Sequence, residues 1–401
     1  GQKMSTQDII SKLRGKKGTT AIIKVLRKGV PGLTEYKIVR DKIPIHSIEA
    51  SYMVNNNTGY IRLSRFGINS SREFHDALME LKTDGMQNLI VDLTGNGGGI
   101  LSTSTDITEE FLDAGKLMVY TEGKNQPRMT VNSTSKGSFQ KGKLVILVNE
   151  GSASASEIVS GAVQDWDRGI IVGRRTFGKG LVQRQLPLTD GTMIRLTVAR
   201  YYTPTGRGIQ KPYKEGDKEA YNLDFINRLN HGEMVTPDSI HFPDSLKFET
   251  LVNKRTVYGG GGIMPDVFVP IDTTMATQLH RQLIAKGVIN RLTIGEVDNN
   301  RKKLLQLYPD VEAFKKEYTV TPQLIDKLKE LAQLEDIEWD DTEFEKSESV
   351  IYTQIKALIG RDLYDPSAFY KIISDVDDIF LKGLEVITDD DLYRKLLNGD
   401  S

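Results

Sequence analysis

The chain has 401 residues, with 53 Lys+Arg against 54 Asp+Glu, no Cys, and 38% hydrophobic residues. That length fits about two to four domains with at least one full-sized core, and a formal net charge of -1 supplies no field for a general nucleic-acid or polybasic membrane binder. The absence of cysteine excludes disulfides, thiolate zinc sites and cysteine nucleophiles. No apolar run approaches the roughly 18 residues of a membrane span, and no basic-then-apolar segment opens the chain, so a soluble chain without a signal segment is expected.

In chain order, Ser5 can cap a short helix whose apolar face is Ile9, Ile10 and Leu13. Thr19–Arg27 reads as a strand, Gly29-Val30-Pro31-Gly32 as the turn that reverses it, and Leu33–Arg40 as its partner. One helix and one hairpin cannot hold a core alone, so residues 1–40 read as the latter part of a domain. Residues 41–270 alternate strand and helix signals. Tyr60–Leu63 is a strand, and Ser71–Leu81 a helix with Phe74, Ala77, Leu78 and Leu81 inward. Asn88–Leu93 and Lys143–Val148 are nearly continuous apolar runs, the pattern of strands covered on both faces. Helices are expected over Glu109 to Leu117 and Ser154 to Asp165, giving an α/β fold with a largely parallel sheet. Gly169–Gly173, Leu181–Pro187 and Thr192–Tyr202 read as an antiparallel extension. Residues 271–401 are helical: Leu324, Leu328 and Leu331 follow Thr321-Pro322, a second stripe runs from Val350 to Ile359, and Asp365-Pro366 opens a helix carrying Phe369, Ile372, Ile373, Val376 and Phe380. The acidic stretch from Glu335 to Glu348 reads as a solvated linker or helix face.

Three segments hold candidate chemistry. Asn149 to Ile158 (NEGSASASEI) joins a buried strand to an amphipathic helix. A serine at that helix start sits beside unpaired N–H groups and the positive end of the helix dipole. Ser152 or Ser154 can equally be a plain cap, with Glu157 completing a capping box to Ser154. A nucleophilic serine needs a base, and none of His46, His75, His231, His241 or His280 lies in a suitable context. Nor do two histidines show metal-ligand spacing. Lys179, between Gly178 and Gly180, can present an amine over a cleft. Strand alternation then places 179, 181 and 183 on one face, where Gln183 can orient that amine. A lysine acting as base has to be uncharged, which burial away from carboxylates favours; a solvated turn lysine is the bland alternative. Third, Asp92 to Ile100 (DLTGNGGGI) sets glycines at the carboxyl end of a buried strand, where their N–H groups can face an anion. The spacing matches neither a dinucleotide nor a P-loop pattern.

Together these segments resemble the carboxy-terminal processing peptidases, also called tail-specific proteases. The likeness covers roughly residues 1–270: Ile10 to Thr19 matches the end of a PDZ domain, followed by Asp92–Gly99, Val148–Ile158, Asp167–Gln183, Arg200–Gln210 (RYYTPTGRGIQ) and Gly259–Val267 (GGGGIMPDV). The resemblance implies a crotonase/ClpP-like α/β core, a partial PDZ domain before it, and a helical C-terminal region. It implies Ser154 as nucleophile, Lys179 as general base and Gln183 as its orienting partner. The oxyanion hole would be the N–H of Ala155 with that of Gly98 or Gly99, and Glu157 is either a catalytic assist or a cap. It implies no cofactor and no metal. Partners would be protein or peptide substrates with free C-terminal tails, with no nucleic acid; residues 271–401 could support a homo-oligomer or an adaptor. Known members are exported, to the periplasm, cell envelope or thylakoid lumen. A substrate strand would add beside Thr197–Tyr202. The alternatives are a peptide-binding scaffold and a non-proteolytic crotonase-fold enzyme.

Overall fold

The computed structural model describes residues 4–27, 30–43, 45–213 and 218–400. Of the expected first turn, Gly29 lies outside the described residues. The chain divides into two compact units, Gly1–His46 and Ser47–Ser401.

The first unit holds α1 (Thr6–Leu13), β1 (Thr20–Leu26) and β2 (Leu33–Val39), the strands forming an antiparallel pair. As the sequence suggests, Ser5 caps α1: its Oγ accepts from the Asp8 N–H at 3.2 Å while Asp8 accepts from the Ser5 N–H at 3.1 Å.

The second unit continues with β3 (Ile48–Met53), β4 (Thr58–Leu63), α2 (Ser70–Thr83), β5 (Asn88–Asp92), α3 (Leu101–Glu109), β6 (Leu117–Gly123), β7 (Gln126–Asn132), β8 (Leu144–Val148), α4 (Ala155–Asp165), β9 (Ile170–Gly173), β10 (Leu181–Pro187), β11 (Met193–Tyr202) and α5 (Lys218–Asn230). After these come β12 (Lys247–Glu249), β13 (Thr256–Tyr258) and β14 (Val267–Phe268). The helices α6 (Gln278–Ala285), α7 (Val288–Leu307), α8 (Val311–Glu317), α9 (Pro322–Gln333), α10 (Asp341–Leu363), α11 (Pro366–Ile373), α12 (Asp378–Thr388) and α13 (Asp390–Asn398) complete it.

The main sheet has the order β14-β9-β8-β5-β4-β3. Its pairs are parallel from β4 to β14, and β3 is antiparallel to β4. Alternate residues of the buried strands serve two cores. Leu89, Val91, Leu144, Ile146 and Val148 pack with Phe74, Leu78, Ile158 and Val159 of α2 and α4. Ile90, Val145, Leu147, Ile170 and Val172 pack with Ile379, Phe380, Val386 and Ile387 of α12. The two-faced burial read from the apolar runs is therefore real, and the carboxy-terminal helices supply the second cover. Tyr393 fixes it: its hydroxyl accepts from the Leu144 N–H at 3.0 Å and donates to the Leu144 carbonyl at 3.1 Å. Residues 47–401 consequently form one compact unit, with no break at residue 270. Helices α6 to α11 share a further core around Leu283, Phe314, Leu328, Ile351 and Ile359.

Three local expectations need correction. The helix after β5 is Leu101–Glu109, and Leu117 already begins β6. Its sequence, LSTSTDITE, is mostly Ser, Thr and Asp, which are weak helix formers, but Ser104, Thr105 and Thr108 bond carbonyls three or four residues back and are buried. Ile170–Gly173 is a parallel strand of the main sheet; of the three expected segments, β10 and β11 belong to the antiparallel layer, whose order is β10-β11-β6-β7. The helix opened by Pro366 ends at Ile373, and Asp377 caps a new one by accepting from the N–H groups of Ile379 and Phe380. No helix among the described residues is long and apolar enough to cross a membrane.

Candidate active site

Strands β5, β8 and β9 are parallel neighbours, so the segments that follow them emerge at one edge of the sheet. These are the three segments singled out in the sequence. Carboxyl ends of adjacent parallel strands are the ordinary place for a site in such folds.

The first two segments are joined by buried side chains. Ser152 Oγ donates to the Leu93 carbonyl at 2.7 Å. Asn149 Oδ1 accepts from Gly95 and Gly151 N–H at 2.8 and 3.0 Å. The Asn96 carbonyl accepts from the Ala153 N–H at 2.9 Å and from Ser156 Oγ at 2.8 Å. Between the two serine candidates, Ser152 is thus spent on structure. Ser154 sits half-buried at the start of α4 with φ 57° and ψ −109°, a left-handed conformation that a side chain adopts only when its surroundings hold it there.

What holds it is Glu157, which is fully buried. Its Oε2 accepts from the N–H of Ser154 at 2.7 Å and of Lys179 at 2.9 Å. Its Oε1 accepts from Thr176 Oγ1 at 2.6 Å and from the Gly178 N–H at 2.7 Å. Burial pushes this carboxyl above its ordinary value, and the four hydrogen bonds oppose that rise. Glu157 therefore does what a capping residue does and also ties the serine segment to the lysine segment. Thr176 is anchored in turn by the GGGGIMPDV motif, its Oγ1 accepting from the Ile263 N–H at 2.7 Å. Nearby, the buried ion pair Arg207–Asp165 at 2.6 Å, with Thr205 on the same carboxylate, fixes the RYYTPTGRGIQ segment.

The glycines differ. Gly98 (φ +92°) lies so close to the serine turn that a Cβ there would meet the Ala153 carbonyl at 2.6 Å, Ser154 Cβ at 2.8 Å and Ala155 N at 2.9 Å. Its own N–H is committed to Asn96 Oδ1 at 2.9 Å. Gly99 packs on Phe66, and neither its N–H nor that of Ala155 meets an acceptor among the described residues.

Lys179, Leu181 and Gln183 line one cavity of about 720 Å³, walled also by Phe177, Thr197, Arg200, Tyr213 and Tyr221. The expected one-face alternation survives because the register shift between Val182 and Gln183 places the extra residue, Val198, in β11. No hydrogen bond or ion pair reaches the Lys179 amine among the described residues, from Ser154 or from Gln183. Beside the cavity, Arg200–Tyr202 of β11 pair with Glu122–Tyr120 of β6, and Leu181 lies opposite Arg200 on the other side. β10 is an edge strand of this layer, and Met193–Ala199 of β11 pair with β10 alone, so the expected site of strand addition is taken up by β6 only over Arg200–Tyr202.

No histidine lines the Lys179 cavity among the described residues. His75 pairs with Glu110 at 2.8 Å and His280 with Gln354 at 2.8 Å. The described residues contain no cluster of three metal-ligating side chains. Sequence reasoning missed Asn96, Asn149, Thr176 and Tyr201. All four stand inside the quoted motifs, but their partners are remote in the chain. Tyr201 is buried, and its hydroxyl donates to the Lys179 carbonyl.

Residues 57–219 match the family described as Peptidase family S41, and residues 279–365 match a family of unknown function, DUF8443. The chain is 36% identical over 218 residues to a carboxy-terminal-processing protease of Bartonella bacilliformis, covering 52% of this chain and 50% of that one. It is also 36% identical over 213 residues to a carboxyl-terminal-processing protease of Synechocystis, covering 52% and 49%. Among solved structures it is similar to a photosystem II D1 C-terminal processing protease, at 31% identity and a TM-score of 0.39, covering 52% of this chain and 57% of that one. The chain spans about half the length of the curated relatives it matches.

Proposed function

We propose that this chain, whose residues 57–219 belong to peptidase family S41, is a serine endopeptidase that cuts peptide bonds in proteins selected by their carboxy-terminal tails. The observation that carries the reading is one buried carboxylate oxygen, Glu157 Oε2, accepting from the N–H groups of both Ser154 and Lys179. It tethers nucleophile and base to one point, the preorganisation a two-residue catalytic unit needs.

In the proposed cycle, neutral Lys179 Nζ removes the Ser154 hydroxyl proton as Oγ attacks the peptide carbonyl carbon. The tetrahedral intermediate collapses, Lys179 returns the proton to the leaving amine, and an acyl-enzyme remains. Water, deprotonated by Lys179, then attacks the ester and releases the acid, restoring Ser154 Oγ–H. Gln183 lines the Lys179 cavity and is suited to orient the amine once substrate excludes water. For the oxyanion the reading favours Ala155 with Gly99 rather than Gly98, because the Gly98 N–H is already bonded to Asn96; such donors contribute about 3–4 kcal/mol each to the transition state. A substrate strand would add along β10. Residues 1–40 would be the latter part of a PDZ domain that selects tails, the enzyme would act in the periplasm or cell envelope, and the helices beyond residue 270 would offer a surface for an adaptor or a second copy.

A peptide-capturing scaffold is the second reading, favoured by the missing hydrogen bond between Lys179 and Ser154. One assay separates them. Incubation with an unstructured protein bearing a free apolar tail should yield fragments with the wild-type chain, and none above background with Ser154→Ala or Lys179→Ala. Binding without cleavage by the wild-type chain would select the scaffold.

A further inference from the structure

Arg62, near the carboxyl end of β4, carries a charge beside the site that the proposed cycle does not use. Strand pairing sets it opposite Asp92, the buried residue that opens the DLTGNGGG loop. Its guanidinium donates in two directions. Toward the loop, Nη1 donates to Asp92 Oδ2 and, at 2.9 Å, to Thr94 Oγ1, while Nη2 donates to the Thr94 carbonyl at 3.2 Å. Toward the carboxy-terminal helices, Nε donates to Glu49 Oε2 at 3.1 Å. The same Glu49 oxygen accepts from the Tyr370 hydroxyl of α11 at 2.5 Å, and the Tyr370 ring centre lies 4.7 Å from the guanidinium carbon. Asp92 completes the turn by accepting from the Tyr60 hydroxyl at 2.6 Å and from the Thr94 N–H at 2.7 Å. A planar fork with donors on three nitrogens can span these partners at once; a lysine ammonium cannot.

What Arg62 grips is the near end of the loop whose far end holds Gly98 and Gly99. That far end hangs on the continuation of the same strand. The Gly98 carbonyl accepts from the Phe66 N–H at 3.1 Å, and the Phe66 carbonyl accepts from the Ile100 N–H at 2.8 Å. Residues 62–66 therefore hold the loop at both ends, and at the Arg62 end the hold extends to α11. We propose that Arg62 is a positioning residue for the Gly98–Gly99 loop, and that Tyr370 acts on the loop through it. Tyr370 stacks on the guanidinium and shares its Glu49 partner, so displacing α11 frees the fork to turn away from Thr94. The Asp92–Thr94 turn then loosens, and the Gly99 N–H leaves the place where it would meet an oxyanion. The carboxy-terminal helices thereby support the site itself, and anything that shifts α11 changes the rate.

This role rests on the peptidase reading for its kinetic consequence but on contacts alone for its geometry, and two measurements on the full chain keep these apart. Tyr370→Leu removes the ring and the hydroxyl, and Arg62→Gln removes the charged fork. At a temperature where every variant is folded by circular dichroism, each should lower kcat by about ten-fold with KM within about two-fold, as for partial misplacement of one oxyanion donor. The double variant should also lose about ten-fold rather than a hundred-fold, because Tyr370 has nothing to act through once Arg62 is gone. Where Arg62→Gln does not fold, Arg62→Lys keeps the charge beside Asp92 without the span to Thr94 and should show the same loss. A wild-type kcat in Tyr370→Leu, or losses that multiply in the double variant, overturns the proposal. Independently of turnover, the ¹⁵N amide resonances of Gly98 and Gly99 should shift in Tyr370→Leu, and unmoved resonances overturn it as well. If the wild-type chain cleaves nothing, the peptidase reading fails and these resonances alone decide whether α11 holds the loop.

Discussion

Replacing Glu157 by glutamine tests the tie between the two proposed catalytic segments with the smallest change of shape. The carboxylate accepts four hydrogen bonds, two on each oxygen, at 2.6–2.9 Å. A glutamine amide keeps one oxygen and replaces the other with an NH₂ that cannot accept. Whichever way the amide turns, two donors lose their acceptor inside a fully buried pocket. Each such orphan costs about 1–3 kcal/mol, so Glu157→Gln should lose about 2–6 kcal/mol at neutral pH, a large share of a typical 5–15 kcal/mol. The orphaned pair is either Ser154 with Lys179 or Thr176 with Gly178, and in both cases the lysine segment moves relative to α4. Hydrolysis should therefore fall by about a hundred-fold or more even where the variant is folded. Urea unfolding followed by tryptophan fluorescence gives the stability loss, and cleavage of an unstructured protein at a temperature where both chains are folded gives the rate. A variant with wild-type midpoint and wild-type rate would refute the role assigned to this carboxylate.

The same group predicts a pH dependence. Its folded value lies above that of the unfolded chain, so its contribution to stability is full below the ordinary glutamate range and is lost as pH rises through the raised value. Wild-type stability from urea unfolding should carry this loss across that window; a stability that rises with pH there, relative to Glu157→Gln, would mean the four hydrogen bonds outweigh burial. Gly98→Ala places a methyl within 2.6 Å of a carbonyl and 2.8 Å of Ser154 Cβ. It should cost about 1–3 kcal/mol and displace the serine, read as loss of cleavage with secondary structure intact by circular dichroism. Tyr393→Phe leaves the buried Leu144 N–H without its tyrosine acceptor, and thermal melts should register a loss of about 1–3 kcal/mol. An unchanged melt would mean that α13 does not stabilise the sheet.

Local pattern made part of this molecule legible in its sequence. The apolar runs Asn88–Leu93 and Lys143–Val148 announce doubly covered parallel strands, and the small-residue turn before Ala155 announces a helix start bearing a serine. Parity alone places Lys179 and Gln183 on one face. What stayed hidden depends on partners far along the chain. Helix α3 is invisible to propensity because its serines and threonines are stabilised by burial against α4. Strand β9 looks like its antiparallel neighbours until β8 is beside it. Helices α12 and α13 read as a separate region, since the contacts by which they close the sheet, among them Gly383 lying against Leu147 and Tyr393 bonding Leu144, join residues more than 200 apart in the chain. The two meanings offered for Glu157, cap or assist, could not be weighed before Thr176, Gly178 and Lys179 were seen on the same carboxylate.

The most direct measurement is the rate at which a fluorophosphonate labels the intact chain, followed by mass spectrometry of the modified peptide. Labelling of the wild-type chain should reach one equivalent, all of it on Ser154, and Lys179→Ala should label at least about a thousand-fold more slowly. Modification at another serine, or an undiminished rate without the lysine, would contradict the assignment of Ser154 and Lys179 as one catalytic unit.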